Sequence, residues 1–177
     1  TTRESGINVP FIANWPGRIP AGRVTDCLTD FSDLLPSFAE LAGAPLPEGH
    51  TIDGKSIAPV LQGAAGDGPR EWILAMGGHP ARLREGRVTP AHRYRDRVIR
   101  DKRWKLYIGR DGKAEKLVDL AADPEEKRNL LPGNTLEQAA VLKKLLSAVR
   151  SFPEKDAAPR YSPGPSQPWD YDPAGDK

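Results

Sequence analysis

The sequence predicts an α+β fold, on three observations. Short apolar runs separated by turn residues succeed one another over residues 72–120, the pattern of antiparallel strands. An apolar stripe at helical spacing follows over residues 136–152. The 17 Gly and 18 Pro make up about a fifth of 177 residues, well above an ordinary ~12%, which favours many turns over long elements.

Taken in order, Asn8–Asn14 (NVPFIAN) has strand composition, with Pro10 placing it at a strand start or an edge. Trp15-Pro16-Gly17 and Pro20-Ala21-Gly22 read as turns. Asp33 reads as the N-cap of a helix carrying Leu34, Leu35, Phe38, Leu41 and Ala42 on its apolar side. Pro36 is tolerated at the third helical position, where no intrahelical donor is lost, and Gly43 supplies the stop. Ala44–Pro47 is extended, Ile52-Asp53-Gly54 reads as a turn, and Ser56–Leu61 as a short helix closed by Gly63. Small and turn-forming residues from Ala64 to Pro69 make a linker.

Strands are expected at Trp72–Met76, Val98–Arg100, Trp104–Ile108 and Lys116–Leu120, with Asp101-Lys102-Arg103 and Asp111-Gly112 as turns between the last three. Asp123-Pro124-Glu125-Glu126 reads as a helix start, with Asp123 as cap and Glu126 reaching back. Thr135 and Gln138 form a second capping box. It opens a helix with Leu136, Ala139, Leu142, Leu145, Leu146, Val149 and Phe152 on one stripe, ending at Pro153. The chain thus divides into residues 1–66, 67–152 and a tail, 153–177, with six prolines.

No apolar run approaches the ~20 residues of a membrane-spanning helix, and the N-terminus lacks the basic-then-apolar pattern of a signal peptide. A single cysteine excludes an internal disulfide and a Cys-based zinc site. Cys27 has no base nearby in sequence, so a buried or inert thiol is the default. The net charge of +2 hides an asymmetry, because residues 79–116 hold 13 of the 26 Lys and Arg against five acidic residues. Such a stretch either draws an anion or is a solvated surface that blunts sheet edges.

Neither a phosphate loop, a G-x-S-x-G nor an H-E-x-x-H is present. His50, His79 and His92 are scattered. Of these His79 stands out, since Gly77-Gly78-His79-Pro80 sets it on a sharp turn just after an apolar strand. The plainer reading is a solvated loop imidazole. Asp30 and Asp33 could pair as carboxylates, though a helix cap explains Asp33 more simply.

Seven segments in sequence resemble type I sulfatases. Glu4-Ser5-Gly6-Ile7-Asn8-Val9-Pro10 followed by Trp15-Pro16-Gly17-Arg18-Ile19-Pro20-Ala21-Gly22 matches E-G-G-x-R-V-P-x-x-x-x-W-P-G-x-I-x-x-G, except that Ser5 replaces a Gly and Asn8 the Arg. Asp33–Ser37, Leu41–Ala44, Asp53–Ser56, Arg103–Tyr107 and Leu117–Leu120 with Asp123–Leu130 continue it in order, to about residue 132.

The resemblance implies the edge of an alkaline-phosphatase-like α/β catalytic domain, followed by a small antiparallel sheet packed against a C-terminal helix. It implies that no catalytic residue and no metal ligand lies in this chain. The cysteine converted to formylglycine in C-x-P-x-R, the ligands of calcium or another divalent ion, and a sulfate-binding lysine just before Thr1 are all expected upstream. His79 is the candidate contact to the leaving group. Arg82, Arg84 and Lys105 are candidate contacts to an anionic substrate, although Lys105 in Arg103-Trp104-Lys105 also suits a structural role.

The expected partner is a sulfated small molecule or carbohydrate, with neither nucleic acid nor membrane involved, and the chain alone is expected to be inactive. Apolar faces of the first segment that normally complete a larger sheet predict self-association. A periplasmic or secreted location goes with the family. The alternative is a non-catalytic basic module that binds a sulfated or phosphorylated polymer.

Overall fold

The computed structural model describes residues 2–77, 82–84, 87–89, 96–109 and 111–152. Four strands form one antiparallel sheet: β1 (Ile73–Gly77), β4 (Asp96–Arg100), β5 (Trp104–Ile108) and β6 (Ala114–Asp119), in the order β1-β4-β5-β6. A separate ribbon pairs β2 (Arg82–Arg84) with β3 (Arg87–Thr89). The β4–β5 turn is set by Asp101, whose carboxylate accepts from the backbone N–H groups of Arg103 and Trp104 at 2.9 and 2.7 Å.

One face of the sheet is apolar. Ile99, Trp104, Leu106, Ile108 and Leu117 pack there against Leu145 and Val149 of α4 (Leu136–Arg150). Each such fully buried side chain contributes about 1.5–3 kcal/mol. Thr135 caps α4 as expected, accepting from the Gln138 N–H at 3.2 Å. The stripe is narrower than predicted, since Leu136 is 93% exposed and Ala139 is also exposed. At the far end Phe152 meets Trp72 edge-on, with ring centroids 5.4 Å apart, which ties the end of α4 to the start of β1.

The opposite face alternates with the first, as period-two strands require. Arg100 faces Lys105 across β4–β5, and Tyr107 faces Lys116 across β5–β6. Val98 and Val118 are buried beside them. This face is the polar one, and it positions the candidate site.

The first third is a set of short elements: α1 (Glu4–Ile7), a 3₁₀ turn at Phe31–Asp33, α2 (Leu34–Ala42) and α3 (Ala58–Leu61). Gly43 ends α2 with φ +64°, as predicted. Buried Ser37 joins α2 to α3, donating to the Asp33 carbonyl at 2.6 Å and accepting from the Ile57 N–H at 2.9 Å.

Four expectations are corrected. Residues 8–14 form no strand among the described residues. A ladder needs a neighbour to take its N–H and C=O groups, and here Val9, Phe11 and Ile12 are exposed. Asp33 does not cap α2. Asp30 caps the preceding 3₁₀ turn, and Asp33 returns the bond to the Asp30 N–H at 2.8 Å. Residues 52–54 form no turn, and Gly54 is required there because a Cβ would fall 1.8 Å from the Ser32 carbonyl oxygen. Asp123–Glu126 is a turn and starts no helix. Glu126 takes a left-handed φ of +56°, which stops helical propagation, and its carboxylate points onto the polar face of the sheet.

Candidate functional site

The polar face is closed by two carboxylates from distant parts of the chain. Glu4, on the single turn of α1, accepts from Arg100 at 2.5 Å and from the Lys105 ammonium at 3.0 Å. Glu126, on its left-handed turn, accepts from the same ammonium at 2.5 Å and from the Tyr107 hydroxyl at 2.7 Å. The Glu4 N–H donates to Glu126 at 3.3 Å, and Lys116 donates to the Glu126 carbonyl. The Lys105 ammonium also lies 5.1 Å from the centroid of the Tyr107 ring.

The electrostatics follow from burial and partners. Lys105 has no exposed surface, and the Glu126 side chain is 5% exposed. Burial pushes the Glu126 carboxyl up, but the hydrogen bonds from Lys105 and Tyr107 outweigh it and hold the group below the usual glutamate range. Burial and the Glu126 carboxylate together push the Tyr107 phenol well above its ordinary value. Every member of the set is satisfied, as a buried polar network must be.

The same N-terminal segment runs beside the end of β1. A Cβ on Gly77 would lie 3.3 Å from Thr2 Cγ2 and 3.1 Å from Asp96 Cβ, so the last residue of β1 touches residue 2. His79 lies two positions further on, outside the described residues. Arg82 and Arg84 follow on β2, where Arg84 registers with Arg87 and Arg82 with Thr89. The expected contacts therefore separate: Lys105 is enclosed by protein carboxylates, while the arginines belong to the ribbon. Sequence reading missed Glu4, Arg100, Tyr107 and Glu126 as partners of Lys105. The available signal was a lysine at a buried strand position, which requires acidic partners.

A second ionic cluster lies in the first third. Asp33, fully buried, accepts from Arg70 through both carboxylate oxygens at 2.6 Å and from the Lys55 N–H at 2.7 Å. Between this cluster and the sheet lies an open groove of about 580 Å³, lined by Arg70, Lys102, Arg103, Trp104 and Lys144 among others. Its cations are spoken for. Lys102 pairs with Asp26 and Asp67, each at 2.9 Å, and Arg103 with Asp119 and Glu137. Lys144 lies 3.7 Å from Asp101.

The donor set does not fit the divalent ion that the resemblance implies. Among the described residues no three His, Cys, Asp or Glu side chains come together, and the buried carboxylates are bound to Lys or Arg. Cys27 is half-buried beside the Leu28 carbonyl, outside any C-x-P-x-R, so it does not fit a formylglycine precursor either. Among the described residues no helix is long and apolar enough to cross a membrane.

Comparison with known proteins gives a consistent result. Human arylsulfatase A is 33% identical across 94% of this chain, and the Ulvan-active sulfatase of Formosa agariphila is 30% identical across 73%. The chain spans only 34% and 30% of those two relatives. Two solved structures share the fold. One is a sulfatase from a glycosaminoglycan-metabolism locus of Bacteroides thetaiotaomicron, with TM-score 0.55 and 24% identity over 74% of this chain and 27% of that one. The other is the phosphonate monoester hydrolase of Silicibacter pomeroyi, with TM-score 0.55 and 22% identity over 80% and 28%. The family model described as N-sulphoglucosamine sulphohydrolase, C-terminal, matches residues 2–152, and the chain belongs to that family of sulfatase carboxyl-terminal domains.

Proposed function

We propose that this chain is the carboxyl-terminal part of an enzyme that hydrolyses sulfate esters, where it shapes the mouth of the active site. The nucleophile and the divalent ion belong to the upstream part of that enzyme. The observation that carries the reading is the contact between Gly77 and Thr2. The sulfatase resemblance sets a sulfate-binding lysine just before Thr1, and the strand that leads to His79 ends against residue 2.

In this reading the His79 imidazole donates a hydrogen bond to the bridging oxygen, where negative charge grows as the S–O bond breaks. In the sequence Gly78 and Pro80 flank His79, and a glycine before it gives the backbone freedom to turn toward a ligand. A positioned proton donor contributes about 10²–10⁴-fold. Arg82 and Arg84, on the strand that follows, hold anionic groups of the substrate and account for part of the basic stretch. Lys105 belongs to the frame behind them. The family also carries the expectation of a periplasmic or secreted enzyme.

The test is His79→Ala in the longer protein that includes the upstream sequence. Turnover on an alkyl or sugar sulfate, a poor leaving group, should fall about 100-fold or more, and turnover on 4-nitrophenyl sulfate about tenfold or less. Equal small losses on both would return His79 to a solvated loop. The 177-residue chain alone should hydrolyse 4-nitrophenyl sulfate only at background rate with calcium present. Turnover comparable with an intact sulfatase would refute the division of labour. Tight binding of a sulfated polymer by the isolated chain, with no activity in the longer protein, would favour the binding-module alternative.

A further inference from the structure

We infer that Lys105 is a positioning residue, which holds residues 3–7 on the sheet through Glu4 and thereby fixes the distance between Thr2 and the end of β1. The kinetic part of this inference rests on the function proposed above; the structural part does not.

Lys105 and Glu4 are 101 positions apart, and Glu4 and Glu126 are 122 apart. The three meet on the face of the sheet opposite α4. α1 is one turn long and none of its residues is fully buried, so apolar packing does little to hold it in place. Its orientation comes from the Glu4 carboxylate instead. One oxygen meets Lys105 at 3.0 Å and the other meets Arg100 at 2.5 Å, on facing positions of neighbouring strands. Two cations on adjacent strands constrain the carboxylate more than one would, so the pair restricts position as well as proximity.

Glu126 completes the arrangement from the other side. The Lys105 ammonium needs more than one acceptor when fully buried, and Glu126 supplies it at 2.5 Å. The same carboxylate accepts from the Glu4 N–H, so the two glutamates are tied to each other as well as to the lysine. The left-handed φ of Glu126, +56°, is one that a non-glycine residue adopts only when its surroundings hold it there. Lys116, donating to the Glu126 carbonyl, and Tyr107, donating to its carboxylate, are the local contacts that hold the turn there.

Disturbing the lysine should therefore release the N-terminal segment without dissolving the sheet. The amide hydrogens that report it are those of Gly6, Ile7 and Asn8, which donate to the carbonyls of Arg3, Arg3 and Glu4.

The experiment has two arms. In the 177-residue chain, amide exchange is measured for Glu4→Gln, which leaves Lys105 paired with Glu126, and for Lys105→Met/Glu126→Gln, which removes the buried charge without stranding either partner. Both variants should lose about tenfold or more protection at residues 6–8, with the β5 and β6 amides unchanged. Unchanged protection at 6–8 in both variants overturns the inference. Loss in Glu4→Gln alone also overturns it, since Arg100 would then suffice.

In the longer protein, the double variant should lower kcat on 4-nitrophenyl sulfate about tenfold with KM within about twofold of wild type, because the substrate's binding contacts are intact and their alignment is lost. A rise in KM at constant kcat would overturn the positioning role. A longer protein without any sulfatase activity would sink the proposed function while the exchange arm still decides the clamp.

Discussion

Replacing Arg70 by Met tests how much of the first third depends on one buried carboxylate. Asp33 has no exposed surface and takes four hydrogen bonds: the Arg70 Nε and Nη2 at 2.6 Å each, the Lys55 N–H at 2.7 Å and the Asp30 N–H at 2.8 Å. Met keeps the unbranched stem as far as the Nε position and removes both charge-assisted bonds. Stripping one partner from a buried ion pair costs about 3–5 kcal/mol. Two backbone donors remain, and Arg70 is 12% exposed so that water reaches the gap, which puts the loss at the lower end, about 3 kcal/mol. For a chain of this size that lowers the melting temperature by roughly 6–12 °C.

The effect should also depend on pH in one direction. Burial raises the Asp33 carboxyl, while Arg70 and the two backbone donors lower it further, so its folded value lies below the ordinary 3.8. A depressed carboxyl contributes stability above that ordinary value and loses it as pH falls through the folded one. Without Arg70 that contribution shrinks, so wild type and variant should differ most at neutral pH, and the gap should narrow as pH falls below about 4 toward the folded value. Urea unfolding at pH 7 and pH 3.5 reads both quantities. A loss under about 1 kcal/mol at pH 7, or a gap of the same size at pH 3.5, would refute the reasoning. Adding Asp33→Asn to the variant should recover part of the loss, because the stranded charge goes with it.

Two further outcomes follow from the same structure. Tyr107 has a raised folded pKa, so its contribution is complete below pH 10 and is lost as pH rises further; Tyr107→Phe should cost about 1–2 kcal/mol at pH 7 and flatten the loss of stability between pH 10 and 11, read by urea unfolding. The exposed side chains of Val9, Phe11, Ile12, Leu35 and Phe38 should make the 177-residue chain self-associate in sedimentation, and Ile12→Ser with Phe38→Ser should shift it toward monomer; a tight wild-type monomer with protected amides over residues 8–14 would count against this.

What could be read from the sequence was what is encoded locally. The strands β1, β4, β5 and β6 announce themselves through apolar runs and turn residues such as Asp101 and Gly112. The α4 helix is given by its cap at Thr135 and its stripe. The corrected elements are those decided by distant partners. Asp33 has the local credentials of an N-cap, yet Arg70, 37 positions away, takes its carboxylate. Asp123–Glu126 has the composition of a helix start, yet Glu126 answers a lysine 21 positions back on a strand. Residues 8–14 have strand composition with no neighbouring strand among the described residues to pair with. Of the candidate contacts, Lys105 could be located as buried, whereas His79 lies outside the described residues.

The two faces of the sheet show why charge stands where apolar side chains would serve stability better. Against α4 the sheet buries a continuous apolar surface, and a fifteen-residue helix is long enough to find its place by packing. Against α1 it presents Arg100, Lys105 and Tyr107 to a four-residue turn with no buried residue. Replacing a buried ion pair by apolar groups of similar volume is often neutral or stabilising, so the ionic set adds little net free energy. What it adds is direction. An apolar contact between α1 and β5 would tolerate sliding and rotation, whereas a carboxylate held at 2.5 and 3.0 Å by two cations on adjacent strands does not. The face that gives up apolar burial is therefore the one on which the orientation of the N-terminal segment relative to β1 matters.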